Sequence, residues 1–195
     1  MILNIVQAGD PVLRGISRQL TTEEIKSSSI QQLIDSMRDT MRAAPGVGLA
    51  APQIGEPIQL AVIEDRAEYI KDASPEELKE RDRSSIPFHV IINPKISLLD
   101  DSPAEFFEGC LSVAGFQAVV RRAYTVRVEC LNERAEPITI NAHGWYARIL
   151  QHEIDHLNGR LYIDRMETRT FMTTENLLRF WVDRSIQEIR RELGR

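Results

Sequence analysis

Apolar positions along the chain follow two periods. Between Ser27 and Pro45, residues Ile30, Leu33, Ile34, Met37 and Met41 fall on one helical stripe, so a helix is expected that starts after the serines Ser27 to Ser29 and stops at Pro45-Gly46. Ser74-Pro75-Glu76-Glu77 carries a capping-box signature for a second, short helix. A third should run from about Trp145 to Asn158, closed by Gly159. A fourth is expected from Thr174-Glu175 to Leu193-Gly194, with Leu177, Leu178, Trp181, Val182, Ile186, Ile189 and Leu193 on its apolar side. Elsewhere the period is two. Ile58, Leu60 and Val62 alternate, as do Val126, Val128 and Cys130, and Ile138 and Ile140. Val90-Ile91-Ile92 reads as a short buried strand ended by Asn93-Pro94. Runs of strands between a few helices predict an α+β class with mainly antiparallel sheet. The segment 64–85 breaks the strand rhythm and reads as a charged insertion carrying the short helix within a single domain, 1–195, that ends in the helix 174–194.

Composition narrows the function classes. The net charge of −5 over 195 residues makes the chain a poor candidate for binding nucleic acid, which needs a basic face. Apolar runs such as Leu60 to Ile63 are too short to span a bilayer, and no membrane association is expected. The first residues lack the basic n-region of a signal peptide. Two cysteines exclude a disulfide scaffold and make a reducing compartment the default.

His152-Glu153-Ile154-Asp155-His156 is an HExxH sequence. On a helix its two imidazoles share one face and can hold one metal ion, and the neighbouring Glu can reach the water such an ion activates. The bland alternative is a pair of solvated surface histidines. A catalytic centre wants three protein ligands and one open position. In HExxHxxGxxH the third is a His, but Tyr162 stands at that position. Glu175, downstream, is a candidate that also suits a first-turn helix acid. Cys110, in Glu108-Gly109-Cys110-Leu111-Ser112, is the other, since a thiolate binds zinc or ferrous iron strongly. Cys130 continues an alternating strand face and is expected to be a buried core thiol.

A small-residue loop, Pro45-Gly46-Val47-Gly48-Leu49-Ala50-Ala51-Pro52-Gln53-Ile54-Gly55, follows the first helix. It lacks the GK[ST] of a phosphate-binding loop. Its small side chains let a peptide backbone lie close. Gln53 is either a turn-capping amide or an oxyanion donor.

Taken together and in order, the GxGxAAxQ loop ending at Gln53, the EGCxS segment from Glu108 to Ser112 and the HExDH helix from His152 to His156 resemble the peptide deformylases. The similarity extends from about Asp10 to Met166. Gly144-Trp145, Ala147 to Gln151 and the insertion after Glu64 look most like the subgroup found in plant and animal organelles and some bacteria. The resemblance implies antiparallel sheets around a central helix carrying HExDH. It also implies one divalent metal held by Cys110, His152 and His156, usually ferrous iron, with zinc, nickel or cobalt able to occupy the site. Glu153 becomes the general acid and base, and Gln53 and the Leu111 N–H the oxyanion donors. Val47, Gly48, Glu108, Gly109, Trp145 and Arg148 are expected to line the substrate. The implied activity removes the N-formyl group from N-formylmethionyl nascent peptides, in the cytoplasm of a bacterium or in the organelle matrix or stroma of a eukaryote.

Two points depart from or extend that picture. Trp145 and Arg148 stand where many family members carry aliphatic residues; an Arg there is expected to lend its alkyl stem to the pocket and keep its charge in water. The C-terminal helix is expected to pack on its own domain or at a dimer contact, with transient docking near the ribosomal tunnel exit as the alternative.

Overall fold

The computed structural model describes residues 1–99 and 102–194. Its long sheet has five strands in the order β1-β2-β3-β6-β7, all antiparallel. These are β1 (Gly48–Ala50), β2 (Leu60–Asp65), β3 (Ile86–Leu98), β6 (Thr125–Leu131) and β7 (Pro137–His143). A second antiparallel sheet joins β4 (Pro103–Cys110), β5 (Val113–Ala123) and β8 (Met172–Thr173) in that order. The helices are α1 (Thr22–Lys26), α2 (Ser28–Ala43), α3 (Ala67–Ile70), α4 (Pro75–Arg81), α5 (Gly144–Leu157), α6 (Thr174–Asn176) and α7 (Ile186–Leu193).

The long sheet is covered on both faces, which is why β2 is buried along its whole length. Alternation sorts its side chains. Ala61, Ile63, Ile91 and Val128 face α5, meeting Ala147, Leu150, Ile154 and Leu157. Leu60, Val62, Val90 and Ile92 face α2, meeting Ile34, Met37 and Met41. Each Val, Leu, Ile or Met side chain so withdrawn from water contributes about 1.5–3 kcal/mol. The helix carrying HExDH therefore lies between the long sheet and the β4–β5 hairpin, as expected of the central helix. Cys130 is buried in the core, and burial pushes its thiol up to about 11.

The short helix after Ser74 forms as predicted. Ser74 accepts from Glu77 N, and the Glu77 carboxylate accepts from Ser74 N.

Two elements differ from expectation. The strand beginning near Val90 does not end at Asn93-Pro94; β3 continues to Leu98 through a bulge between Ile92 and Lys95. Asn93 takes a left-handed φ of 52°, and its amide bonds both backbone groups of Leu20 at 2.8 and 2.9 Å. Pro94, which has no N–H to offer, falls in this irregularity. The expected single helix from Thr174 to Gly194 is also broken. After α6 a π-type turn (Leu177–Trp181) follows, and Ser185 caps a new helix, α7, through a capping box with Glu188. Leu178 and Val182, assigned to one apolar side, are exposed, as is Phe180 between them; Ile189 is the buried anchor of α7.

Candidate metal centre and cleft

Two segments, the end of β4 and the stretch from Gly48 to Gln53, converge on α5. His152 and His156 project from it one turn apart. Cys110 ends β4, just where the β4–β5 pairing slips out of register. His156 Nε2 stands 3.3 Å from Cys110 Sγ and 3.3 Å from His152 Nε2, and the three donor atoms lie within 4.8 Å of one another. Ligands at 2.0–2.3 Å from a tetrahedral ion are separated by about 3.3–3.7 Å. One thiolate and two imidazoles at these separations fit such an ion. Glu175, the rival third ligand, is exposed on the first turn of α6 and is not part of this cluster.

The surroundings of the cluster are charged and buried. Glu108 accepts from His152 Nδ1 at 3.0 Å, which leaves Nε2 toward the cluster. Glu108 is itself gripped by Arg122, through two bonds of 2.9 Å, and by Arg148 at 2.6 Å. Burial opposes its charge, yet Arg122 and His152 hold its carboxyl well below the usual carboxylate range. Arg122 also reaches Asp155, which Arg165 binds at 2.7 and 2.8 Å. Arg148 is only 3% exposed and donates further to Val120 O and Ala104 O. Its charge is therefore not kept in water, as expected from sequence, but neutralised inside by Glu108. A buried carboxylate beside two cations explains why the stem-in, head-out reading fails here.

Glu153 points from α5 toward β1. Its carboxyl is fully buried, one oxygen has no hydrogen-bond partner among the described residues, and burial raises it to about 7. A Cβ built on Gly48 would lie 2.2 Å from Glu153 Oε1, so only glycine allows this approach. Gln53 is 1% exposed and meets the turn-capping reading made of it. Its Oε1 accepts from Ala50 N at 2.9 Å, capping the turn, while Nε2 faces Cys110 Sγ at 3.4 Å and Ser112 Oγ at 3.3 Å. Leu111 sits in the turn between β4 and β5.

A cleft of about 410 Å³ opens onto this cluster. Val47, Gly48, Glu108, Gly109, Leu111, Trp145 and Arg148 all line it, alongside Gln53, Cys110, His152 and Glu153. His156 lies behind them. Sequence reasoning missed Arg122, Asp155, Arg81 and Thr174. Asp155 could have been found as a second acid on the HExDH helix. Arg122 carries no such signal, since its neighbour Arg121 is exposed and looks identical in sequence.

The family model for polypeptide deformylase matches residues 2–171. The chain belongs to the peptide deformylase family. Peptide deformylase 1 of Bifidobacterium longum is 46% identical over 99% of this chain and 86% of its own length. Peptide deformylase 1A, chloroplastic, of Solanum lycopersicum is 53% identical over 89% of this chain. The chain spans just under two thirds of the plant deformylases it matches, 63% of the tomato protein and 64% of the Arabidopsis thaliana one. Among solved deformylases, the Met-Ala-Ser bound enzyme of Acinetobacter baumannii superposes with a TM-score of 0.76 at 32% identity, covering 85% of this chain and 99% of that one. Within the described residues no helix is long and apolar enough to cross a membrane.

Proposed function

We propose that this chain is a metal-dependent amidohydrolase that removes the N-formyl group from N-formylmethionine of nascent polypeptides and releases formate. The observation that carries the reading is the convergence of Cys110, His152 and His156 with Glu153 and Gln53 on one open cleft. Ferrous iron is our reading of the resident metal. Zinc, nickel and cobalt suit the same thiolate and imidazole donors. Cys110, His152 and His156 would hold the metal, which when bound would supply the Lewis acidity that makes a water nucleophilic near neutral pH.

The chain's own groups do the rest. Glu153 takes the proton of the attacking water as its oxygen bonds to the formyl carbon. A buried carboxyl raised to about 7 is matched to both halves of this proton traffic. Gln53 Nε2 and the Leu111 N–H receive the negative charge that develops on the formyl oxygen. Glu153 then returns the proton to the amine nitrogen as the C–N bond breaks, leaving formate and a free amino terminus. Small residues from Gly46 to Ala51 let the peptide backbone lie along β1. Glu108, with Arg122 and Arg148 behind it, holds His152 in one orientation. The packing of Ile189 and the ion pairs of Arg190 support a packing role for the C-terminal segment over ribosome docking.

The test is formate release from formyl-Met-Ala-Ser by protein purified without oxygen, with metal content read on the same sample. Metal-dependent release without internal cleavage of longer peptides is expected. Metal-loaded protein that releases no formate would overturn the reading.

A further inference from the structure

One wall of the cleft is built from arginines stacked on aromatic rings. Arg81 lies over Trp145 at 5.0 Å and Phe106 at 5.5 Å, Arg83 over Trp145 at 5.2 Å, and Arg148 over Phe106 at 5.2 Å. Two of the three charges are met by a carboxylate. Arg83 binds Asp65 at 2.7 and 3.0 Å, and Arg148 binds Glu108. Arg81 faces the cleft and makes no ion pair among the described residues. Glu77 and Glu80 on its own helix act on it only at longer range, while burial and Arg83 work against its charge. Trp145 Nε1, buried and without a partner among the described residues, is a second unmatched donor on this wall.

Arg81 is held there by the fold. It is the last residue of α4, and Asp82 after it turns the chain with a left-handed φ of 48°. The Asp82 carboxylate binds His143 Nδ1 and Tyr124 Oη, and the Asp82 carbonyl accepts from Trp145 N at 3.4 Å. A Cβ on Gly144 would lie 2.5 Å from Asp82 Cβ, so the two chains touch where α5 begins. The end of the insertion helix is thus stapled to the start of the metal-binding helix. The backbone that carries Arg81 is thereby fixed beside Trp145.

A half-buried guanidinium with no carboxylate, facing a cleft that takes peptides, is matched by an anion on the peptide. Trp145 precedes His152 by seven residues, about 10 Å along a helix. An extended peptide covers that distance in about three residues. We propose that Arg81 is a specificity-determining residue that favours formyl peptides carrying an acidic side chain at the second or third position. The proposal rests on the deformylase reading above.

The experiment compares kcat/KM for formyl-Met-Ala-Ser, formyl-Met-Glu-Ser, formyl-Met-Ala-Glu and the two lysine counterparts, on the metal-loaded full chain at low and high salt. An acidic side chain is expected to exceed lysine by about three- to tenfold at one of the two positions, chiefly through KM, with the ratio shrinking at high salt. Arg81→Gln should abolish the ratio and Arg81→Lys should keep part of it. Equal values for acidic and basic peptides, or a ratio that survives in Arg81→Gln, would overturn the assignment. Absence of formate from every peptide would instead refute the deformylase reading. Competition between the products Met-Glu-Ser and Met-Lys-Ser for the cleft would then still decide the role of Arg81.

Discussion

Gly48→Ala is the sharpest probe of how the fold places the general base. Gly48 is buried in β1, paired with Ile63 of β2, so the backbone there cannot retreat. The added methyl would sit 2.2 Å from Glu153 Oε1, 2.5 Å from Cδ and 2.8 Å from Cγ. Non-bonded contact needs about 3.5 Å, so the carboxyl must move by roughly 1.3 Å. A shift of that size in a catalytic group costs about 10²-fold in rate, and complete loss of a general base costs about 10²–10⁴-fold. We expect kcat for formate release to fall by about 10²-fold or more while the metal content stays that of the wild type, because the closest contacts of the methyl are all with Glu153 and not with a ligand. Overpacking should also cost about 1–3 kcal/mol, a loss of several degrees in Tm. Gly46→Ala is the control. Its Cβ would press at 2.9 Å on Leu111 Cδ1, the free end of a flexible side chain, so kcat should fall far less. Formate release by Gly48→Ala within threefold of wild type would refute the argument that Glu153 acts from the position found here.

Three further outcomes follow from the same geometry. Cys110→Ala should lose bound metal whereas Glu175→Ala keeps it, as read by elemental analysis of the purified proteins; the reverse would restore Glu175 as third ligand. Arg122→Met should destabilise the metal-loaded protein in urea by about 3–5 kcal/mol, since it removes the one buried cation that Glu108 and Asp155 share, and Arg148→Met by less, since Arg148 serves Glu108 alone and Arg122 still holds that carboxylate. Arg190 pairs with Glu105 at 2.7 Å and lowers its carboxyl below the ordinary value, so this tether of α7 is fully present above about pH 4.3 and is lost as pH falls through the lowered value. The protection of amides in 186–193, taken relative to the intrinsic exchange rate at each pH, should therefore fall in acid, and Arg190→Gln should show the reduced protection already at pH 7; unchanged protection in that variant would refute a role for the ion pair in holding α7.

The chain's local patterns were enough for several features. The stripe from Ile30 to Met41, the capping box at Ser74 and the Gly159 stop mark helices because propensity, capping and periodicity agree over those stretches. The two histidines of the cluster were legible because HExDH is short, contiguous and chemically unusual; Cys110 competes with Glu175 until the resemblance carried by EGCxS is weighed. Gln53 was legible only as two alternatives; its Oε1 caps the turn, and its Nε2 is left toward Cys110 and Ser112. The break in β3 was not legible, because it depends on a distant partner, Leu20 for Asn93; the capping box of Ser185 and Glu188 is a local signal like that at Ser74, but the apolar stripe running through it reads as one continuous helix.

What the sequence by itself determined is the set of reactive groups and the helix that spaces two of them. Those follow from covalent order and the 3.6-residue turn. What only the tertiary structure decided is which charges are neutralised. Arg121 and Arg122 are adjacent and identical, yet one is solvated and the other buried between Glu108 and Asp155. Arg81, Arg83 and Arg148 share two aromatic rings, yet only Arg81 lacks an ion-pair partner among the described residues. Burial sets the energy of a charge through its surroundings in space, and for these residues every decisive neighbour lies on a different element of the fold.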